Sequence, residues 1–465
     1  MVIALPSSNH LPTLMTDLVS RALAPSAGPH EARQAALACM VTLAVALGVG
    51  RFAFTPLLPL MLHGGSLDIR QGGWLASWNY AGYFVGAVAC AALRIDPARM
   101  VRTGLAVTVV LTLAMGVTHS LWLWVVIRFV GGAVSAWTFV FASQWGLRRL
   151  AELGANEWSG VIYTGPGLGI VGTGLLVSVA GGSGATAGWI GFGLISAVLT
   201  AVVWRAFKAT PSYQAKIAAT PRHESGRQAP HTGATGLLHA DPARRAPAAQ
   251  LVGPDEPAAP AQPAAGMHHR SRIHRADAFW LVVLYGVPGF GYIITATFLP
   301  VIARAALPGS AWPDLFWPMF GAALIVGALL GARLPLHWDN RTLLAGCYVL
   351  QAAGIASGIV WPTAGGFAIG SILIGLPFTA ITLFAMREAR RLHGEHAAGL
   401  MGYATAAYGI GQIAGPLVAA PIAAHTGSFS PALWLAAGTL MLGALGLVAV
   451  TYVPKCQPDN NGMAH

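Results

Sequence analysis

Charged side chains are scarce in this sequence. They form 9% of the 465 residues, and Asp and Glu together number only 16. Because a soluble domain carries roughly 25% charged residues, this composition excludes an ordinary soluble protein. The formal net charge is +11, which in a soluble domain would point to nucleic acid. Here the basic residues follow a membrane-topology pattern, described below, and we expect no nucleic-acid partner.

Cysteines and targeting signals are also few. Of the four cysteines, Cys39, Cys90 and Cys347 lie in apolar runs and Cys456 lies near the C-terminal end. None has the spacing of a disulfide framework or a zinc site, so we expect no metal and no cofactor. Residues 1–34 lack a compact apolar core followed by an A-x-A site. They are interpreted as a polar tail and not as a cleaved signal peptide.

Long apolar runs dominate the rest of the chain, which is 55% hydrophobic with a mean hydropathy of +0.61. A bilayer core needs about 20 apolar residues per helix, and lipid-embedded backbone must satisfy its own hydrogen bonds, which favours helices. We therefore predict an all-α integral membrane protein with twelve transmembrane helices. Their predicted ranges are 35–62, 72–95, 100–118, 120–147, 158–182, 187–207, 277–305, 312–334, 341–362, 364–387, 397–424 and 430–453.

The composition divides these runs into two six-helix bundles, 35–207 and 277–453. Residues 208–276 between them are rich in Ala, Pro, His, Arg and Gly and show no apolar periodicity. This segment predicts a disordered linker, and 454–465 predicts a second tail. The histidines of "HHRSRIH" in the linker and "HGEH" at 393–396 are interpreted as solvated residues and not as metal ligands.

The basic residues indicate the orientation of the chain. Of the 27 Lys and Arg residues, Arg70 and Arg304 fall on one side of the predicted membrane, and Arg51 and Arg128 fall inside it. All the others lie on the side of the linker and both termini. By the positive-inside rule that side is the cytoplasm. We expect a multi-pass protein of a bacterial inner membrane, with both termini cytoplasmic, that acts as a monomer.

The two halves of the chain resemble each other in sequence. "GVGRFAFTPLLP" at 48–59 aligns with "GFGYIITATFLP" at 289–300, "RRL" at 148–150 recurs at 390–392, and "GLG" at 167–169 matches "GIG" at 409–411. The matches occur in the same order and at nearly the same offset, so they indicate a duplicated six-helix unit. In transporters built from two such halves, the substrate lies near the midplane between them.

Several motifs resemble those of the major facilitator superfamily, over essentially all of both halves. "IRFVGGAVSA" at 127–136 is similar to its fourth-helix motif, and "GPGLGIVG" at 165–172 is similar to a fifth-helix motif often associated with exporters. "GVGRFAFTPLLPLM", "WLASWNYAGYFVGA" and "GIGQIAGPL" most resemble the YbfB/YjiJ-type branch. The resemblance implies alternating access, with helices one, four, seven and ten lining the cavity.

The resemblance also implies a cytoplasmic gate in the loops after the second and eighth helices. "LRIDPARMVR" and "GARLPLHWDNR" keep the acid and the basic residues of the superfamily pattern, with altered spacing in the first. The gate residues predicted in this way are Asp96, Arg99, Arg102, Asp339 and Arg341.

Glycines and prolines are concentrated in the fifth and eleventh predicted helices. Small residues let membrane helices pack closely, and proline permits bending. Plain packing and a role in the rocking of the halves are both open interpretations. The residues assigned to this conformational and packing set are Gly165, Pro166, Gly167, Gly169, Gly172, Gly409, Gly411, Gln412, Gly415 and Pro416.

Two arginines, Arg51 and Arg128, are the ionisable residues predicted deep in the membrane; Asp277 and Asp314 lie at run ends. A guanidinium in hydrocarbon costs from about 3 to more than 10 kcal/mol, depending on the reference. Transporters driven by protons commonly use a membrane carboxylate or histidine, and Arg stays protonated. We therefore expect no proton relay through a membrane carboxylate.

The two arginines have two interpretations. A guanidinium binds carboxylate or phosphate in a bidentate fork, which predicts a substrate anion site. Alternatively, each arginine holds backbone carbonyls, near Pro56 or in the Gly131–Gly132 segment. In the second half Tyr292 replaces Arg51. The substrate-binding residues predicted on the first interpretation are Arg51, Arg128, Asn79, Tyr80, Tyr83, Gln144 and Tyr292.

These observations predict a secondary transporter, not an enzyme, that moves a small organic anion or amphipathic molecule as an exporter or an exchanger. An alternative is a membrane sensor with the same fold, which the lack of a foldable domain in the linker disfavours. A membrane enzyme would need a nucleophile or an acid/base pair at one depth, and the predicted helices offer neither. Substrate identity, direction and coupling ion stay open.

Overall fold

The computed structural model describes residues 29–207 and 265–452, apart from positions 91, 94, 336, 395 and 396. The predicted tails and most of the predicted linker lie outside these described residues. Within them the chain is helical and contains no strand. Contacts join the two membrane halves into one compact unit.

Twelve membrane spans follow one another in the described chain. Eleven are long and apolar enough to cross a membrane, and the remaining one, the second, is a 21-residue helix with a more polar sequence. We call them spans 1 to 12. Their helices are Pro29–Leu43 with Phe54–His63, Ile69–Ala89, Pro97–Val117, Leu121–Glu152, Gly165–Ala180, Gly184–Val203, Ala265–Ala306, Pro313–Arg333, Asn340–Val360, Ala364–Gly375 with Phe378–His393, Ala397–Thr426 and Ser430–Tyr452.

Polar residues between the apolar runs fix several helix starts. Asp68 forms a capping box with Gln71 at the start of span 2, and Asp339 accepts a 2.9 Å hydrogen bond from the Thr342 backbone at the start of span 9. Such caps satisfy amides that have no partner within the helix. With the cap at Asp68, span 2 begins before the predicted residue 72. It also ends before the predicted residue 95, and span 1 begins before the predicted residue 35.

Span 1 is broken in its middle. A π-helical segment, Ala44–Val49, ends before an irregular turn, and the α-helix resumes at Phe54. Pro56 lacks the N–H that would bond the Phe52 carbonyl in an α-helix. The Thr55 amide donates to that carbonyl instead, at 3.2 Å. The carbonyl of Arg51, which the Thr55 amide would otherwise bond, is left free for a partner from another helix.

The two halves pack against each other through two antiparallel pairs of spans, 2 with 11 and 5 with 8. In the first pair Gly73 lies against Pro416 and Gly409 against Phe84; in the second, Gly174 lies against Pro318. The glycines let the backbones approach closely in lipid, where no hydrophobic effect drives helices together.

The two sides of the membrane unit differ in their packing. We call the side where span 1 begins and span 12 ends the terminal side, and the opposite side the far side. On the far side a single hydrophobic core includes residues of both halves, among them Phe54, Phe298 and Trp317. On the terminal side the first half has a separate core around Cys39 and Trp145. The halves are therefore packed together on the far side.

Candidate functional site

The guanidinium of Arg51 lies at the break in span 1 and is buried between the halves. Its Nη2 atom donates a 2.8 Å hydrogen bond to Oε1 of Gln412 in span 11. Both side chains are at most 6% exposed. Gln412 was predicted to be a packing residue, whereas the structure places it directly against Arg51.

Aromatic rings surround the same guanidinium. Its Cζ atom lies 4.0 Å from the ring centroid of Tyr83, 5.1 Å from that of Tyr80 and 5.2 Å from that of Phe52. These distances suit cation–π attraction, which offsets part of the cost of burying the charge. The structure thus brings Arg51 together with two of its predicted neighbours.

One donor of Arg51 has no partner. Its Nε atom is buried and makes no hydrogen bond to any described residue. A buried donor on a charged group is costly when it is left unpaired. An acceptor that reached Nε would therefore be stabilised by this guanidinium.

A row of tyrosines continues from Gln412 through the second half. The Nε2 atom of Gln412 donates a short hydrogen bond to the hydroxyl of Tyr292. The Tyr292 ring stacks on Tyr408, with centroids 6.0 Å apart, and Tyr408 stacks on Tyr285 at 5.0 Å. Only Tyr292 of this row was predicted. Tyr408 and Tyr83 are half-buried, so they form the more accessible edge of the cluster.

Arg128 has a different environment, although it is also buried. Its Nη2 donates to the backbone carbonyl of Arg51 at 3.3 Å, and its Nε points to the Leu75 carbonyl at 3.5 Å. Its Cζ lies 4.8 Å from the ring centroid of Phe54. Arg128 therefore holds the free carbonyl at the break in span 1, which favours the structural interpretation of this arginine.

Two further predicted substrate-binding residues, Asn79 and Gln144, lie on spans 2 and 4. The Nδ2 atom of Asn79 donates to the Arg128 carbonyl at 2.8 Å, and its side-chain oxygen is buried without a partner in the described chain. Gln144 is exposed and lies about 24 Å further along span 4 at 1.5 Å per residue. The structure does not bring Gln144 to the Arg51 cluster.

Apart from Gly172, which has open space around it, the predicted packing glycines lie at close helix contacts. Gly165 faces the Met40 carbonyl and Gly169 faces Gly48, both in span 1; Gly411 faces the Gly286 carbonyl in span 7. Beside them, Gly167 faces Gly321 in span 8, Gly415 faces Ile293 in span 7, and Gly73 faces the carbonyl of Pro416 across the halves. Pro166 is buried at the start of span 5. These contacts show packing, and a role in rocking stays a prediction.

An ion-pair cluster lies on the terminal side of the second half. Arg341 contacts Asp277 at 2.9 Å and Glu388 at 2.6 Å, and Arg391 also contacts Glu388 at 2.6 Å. Glu388 is 1% exposed. Glu388 lies one residue beyond the predicted tenth helix, 364–387, so the sequence did not predict this buried carboxylate. The three-residue spacing to Arg391 was the signal in the sequence that could have indicated it.

Of the other predicted gate residues, Asp339 and Arg102 make hydrogen bonds within their own half. Burial would raise the pKa of Asp339, but hydrogen bonds from Thr342 outweigh burial and lower the pKa, so Asp339 is an ionised helix cap. In the first half, Arg102 donates to the Trp204 carbonyl at 3.1 Å, and Arg99 is exposed. The Asp96 carboxylate is buried without a hydrogen-bond partner among the described residues. A gating role of these residues stays a prediction.

The family described as "Uncharacterised MFS-type transporter YbfB" matches residues 43–238 and 248–448. The chain belongs to this family. It is a multi-pass transporter of the major facilitator superfamily, which implies a small-molecule substrate. The predicted superfamily and branch are both confirmed.

Individual relatives agree with this assignment. A curated protein from Streptomyces lividans, "Chloramphenicol resistance protein", is 31% identical over 236 residues, 47% of this chain and 53% of that protein. The match thus spans about half the length of this relative. The solved structure of the nucleoside transporter NupG has a TM-score of 0.59 and 11% identity, covering 91% of this chain and 100% of that one. A single-substitution mutant of NupG has a TM-score of 0.65 and 12% identity, covering 90% and 99%. These similarities confirm the predicted all-α fold.

Proposed function

We propose that this YbfB-type transporter moves a small organic anion by alternating access, and that Arg51 binds the negative group of the substrate. The single observation that carries the proposal is the state of the Arg51 guanidinium. It is buried between the two halves, its Nη2 donates to the neutral Gln412, and its Nε has no partner among the described residues.

Electrostatics favour an anion at this position. Arg128 donates to the carbonyl of Arg51, so two buried guanidinium groups lie in one cluster. Among the described residues, no carboxylate pairs with either of them. Like charges in a medium of low dielectric constant repel strongly. A bound carboxylate would reduce this repulsion and supply the acceptor that Nε lacks.

The aromatic surroundings favour an organic anion over a small inorganic one. Tyr80, Tyr83 and Phe52 face Arg51, and the stacked rings of Tyr285, Tyr292 and Tyr408 continue from it. Rings of this kind provide flat apolar surface with polar edges, which suits a planar or amphipathic substrate. Similarity to the S. lividans chloramphenicol resistance protein supports export, and it supports testing amphipathic compounds such as chloramphenicol.

Alternating access requires that the far-side contacts between the halves separate. Thr55 Oγ1 donates to the Ala296 carbonyl at 3.0 Å, and the hydroxyls of Tyr80 and Thr297 lie 3.0 Å apart. The positive-inside pattern supports a cytoplasmic terminal side and a bacterial inner membrane. We further propose that the transporter acts as a monomer without a cofactor or a nucleic-acid partner.

The test is counterflow in proteoliposomes with a panel of radiolabelled aromatic and aliphatic carboxylates, with chloramphenicol as the neutral member. Arg51→Gln keeps hydrogen bonding but removes the charge, and should abolish counterflow of the anions. A charge-assisted contact of about 1.5–3 kcal/mol corresponds to a loss in affinity of roughly 10- to 150-fold. Arg51→Lys should weaken binding less, because it keeps the charge but loses the planar fork.

Two outcomes would contradict the proposal in different ways. If Arg51→Gln transports anions as well as the parent, Arg51 is structural and the anion site fails. If chloramphenicol undergoes counterflow and no carboxylate does, the protein is a transporter of neutral amphipathic compounds.

A further inference from the structure

We infer that the carboxamide of Gln412 occupies the place of the substrate carboxylate on Arg51, so that substrate binding and the Arg51–Gln412 hydrogen bond exclude each other. The inference rests on the proposed function, because it takes Arg51 as the anion-binding residue. It adds a residue from the opposite half to the site, and a reason why binding should change the contact between the halves.

The hydrogen-bond donors on one edge of the Arg51 guanidinium are only half used. Nε and Nη2 lie on one edge of the guanidinium, and such an edge binds the two oxygens of a carboxylate side by side. In this structure Nη2 is bonded to Gln412 at 2.8 Å, while Nε is buried without a partner. A carboxamide has one acceptor oxygen, so it fills half of this edge. A carboxylate would fill both positions.

The orientation of the Gln412 amide is fixed by its two partners. A guanidinium has only donors, so the oxygen of Gln412 must face it. The amide nitrogen then points to the hydroxyl of Tyr292. Both ends of Gln412 are therefore paired, and the side chain is held against Arg51 as long as no stronger acceptor arrives. A charged acceptor bonds a guanidinium about twice as strongly as a neutral one.

The Arg51–Gln412 hydrogen bond crosses between the two halves of the protein. It joins span 1 to span 11 and hence the first half to the second. Further described hydrogen bonds between the halves extend from it toward the far side: Ser77 Oγ to the Ile413 carbonyl at 2.9 Å, and Arg70 to His425 at 3.2 Å. A carboxylate that displaces Gln412 removes the bond at one end of this series. Substrate binding would thus weaken the contact that must open for transport.

The experiment measures how fast a buried cysteine on the far side becomes labelled by a maleimide. The protein is the full-length chain in detergent, with its four native cysteines replaced by alanine and Thr55→Cys as reporter. Thr55 is 3% exposed and contacts the other half. The probe is benzoate, and benzamide is its control, because the pair differs only in carboxylate against carboxamide.

Gln412→Met should speed labelling of the reporter without any ligand, because it removes the acceptor at nearly constant side-chain length. It should also bind benzoate about three- to tenfold more tightly, since the internal competitor is gone. The matched control is Gln351→Met, the same substitution at a buried glutamine of the same half whose amide has no partner among the described residues. It should leave both quantities unchanged.

In the parent, benzoate should speed labelling and benzamide should not. Gln412→Glu places a permanent carboxylate on Arg51 and should slow labelling and abolish the response to benzoate. The inference is overturned if Gln412→Met labels at the parent rate, or if benzoate leaves the parent unchanged. In that case, loss of counterflow in Arg51→Gln would show that Arg51 binds the anion but that Gln412 does not compete with it. Counterflow at the parent level in Arg51→Gln would instead remove the anion site and this inference together.

Discussion

At the scale of single residues, Arg51 and Arg128 carry the same charge in different bonding situations. Arg51 has a neutral side-chain partner and one unpaired donor. Arg128 directs its donors at backbone carbonyls of spans 1 and 2. The difference follows from Pro56, because the N–H that it lacks redirects the Thr55 amide and leaves the Arg51 carbonyl to Arg128.

Arg128→Met should therefore act mainly on the stability of the fold, and it should have a smaller effect on anion binding. Two charge-assisted bonds of ordinary geometry contribute about 1.5–3 kcal/mol each, and because the distances here are long, we expect a total near the lower figure. The measurement is the midpoint of thermal unfolding in detergent, which should fall by several degrees. Anion affinity in counterflow should change less than in Arg51→Gln.

Arg128→Lys is the matched control, since it keeps the charge and one flexible donor. It should recover part of the lost stability. The opposite result would be an unchanged unfolding midpoint for Arg128→Met and a loss of anion affinity as large as that of Arg51→Gln. It would mean that Arg128 contacts the substrate.

The sequence predicted which residues lie in the site better than it predicted their hydrogen-bond partners. The depth of Arg51 in the first apolar run and its nearness to Tyr80 and Tyr83 followed from the order and direction of the helices. Gln412 was missed as a partner because a residue on span 11 faces Arg51 only after two distant halves have packed. Glu388 was missed because a helix of charged residues at the membrane boundary looks solvated until its partners are known.

At the scale of elements, span 5 combines glycines with opposite environments. A Cβ atom at Gly169 would collide with Gly48 and the Ala44 carbonyl of span 1, whereas a Cβ atom at Gly172, nearly one turn further on, would meet open space. The same sequence feature thus has a packing role at one position and no steric requirement at the other.

Gly169→Ala should destabilise the protein, because overfilling a packed contact costs about 1–3 kcal/mol. Gly172→Ala should be neutral or stabilising by up to about 1 kcal/mol, because alanine favours the helix. Thermal unfolding in detergent compares the two variants directly. Equal destabilisation by both would contradict the assignment of close packing to Gly169.

The apolar pattern of the sequence was sufficient to place the helices but not their internal breaks. The π-helical segment of span 1 and the interruption of span 10 between Gly375 and Phe378 were both expected to be continuous helix. Pro56 was visible in the sequence. What it does to the neighbouring carbonyl depends on an arginine from span 4, which no local pattern contains.

At the scale of the whole molecule, the far-side contact between the halves should be an obligatory point of separation. Thr55→Cys and Ala296→Cys, introduced together in a protein without other cysteines, place two thiols at a contact now bridged by a 3.0 Å hydrogen bond. Mild oxidation should cross-link them and stop counterflow, and a reductant should restore it.

Thr55→Cys alone is the control and should respond to neither treatment. Counterflow that continues in the fully cross-linked protein would show that the halves need not part on this side, which would argue against alternating access through the far side.

The duplicated halves of the chain meet at a site that is not itself duplicated. Arg51 and Tyr292 occupy equivalent positions of the repeat, and Gln412 bridges them. A site with true two-fold symmetry would hold a substrate equally well in either of two opposed orientations. Here one wall offers a cation and the other a hydroxyl and stacked rings, so the proposed organic anion should have one preferred orientation in the plane of the membrane. Isomers that differ only in where the acid group sits relative to the ring should therefore be told apart by a protein whose scaffold is almost symmetric.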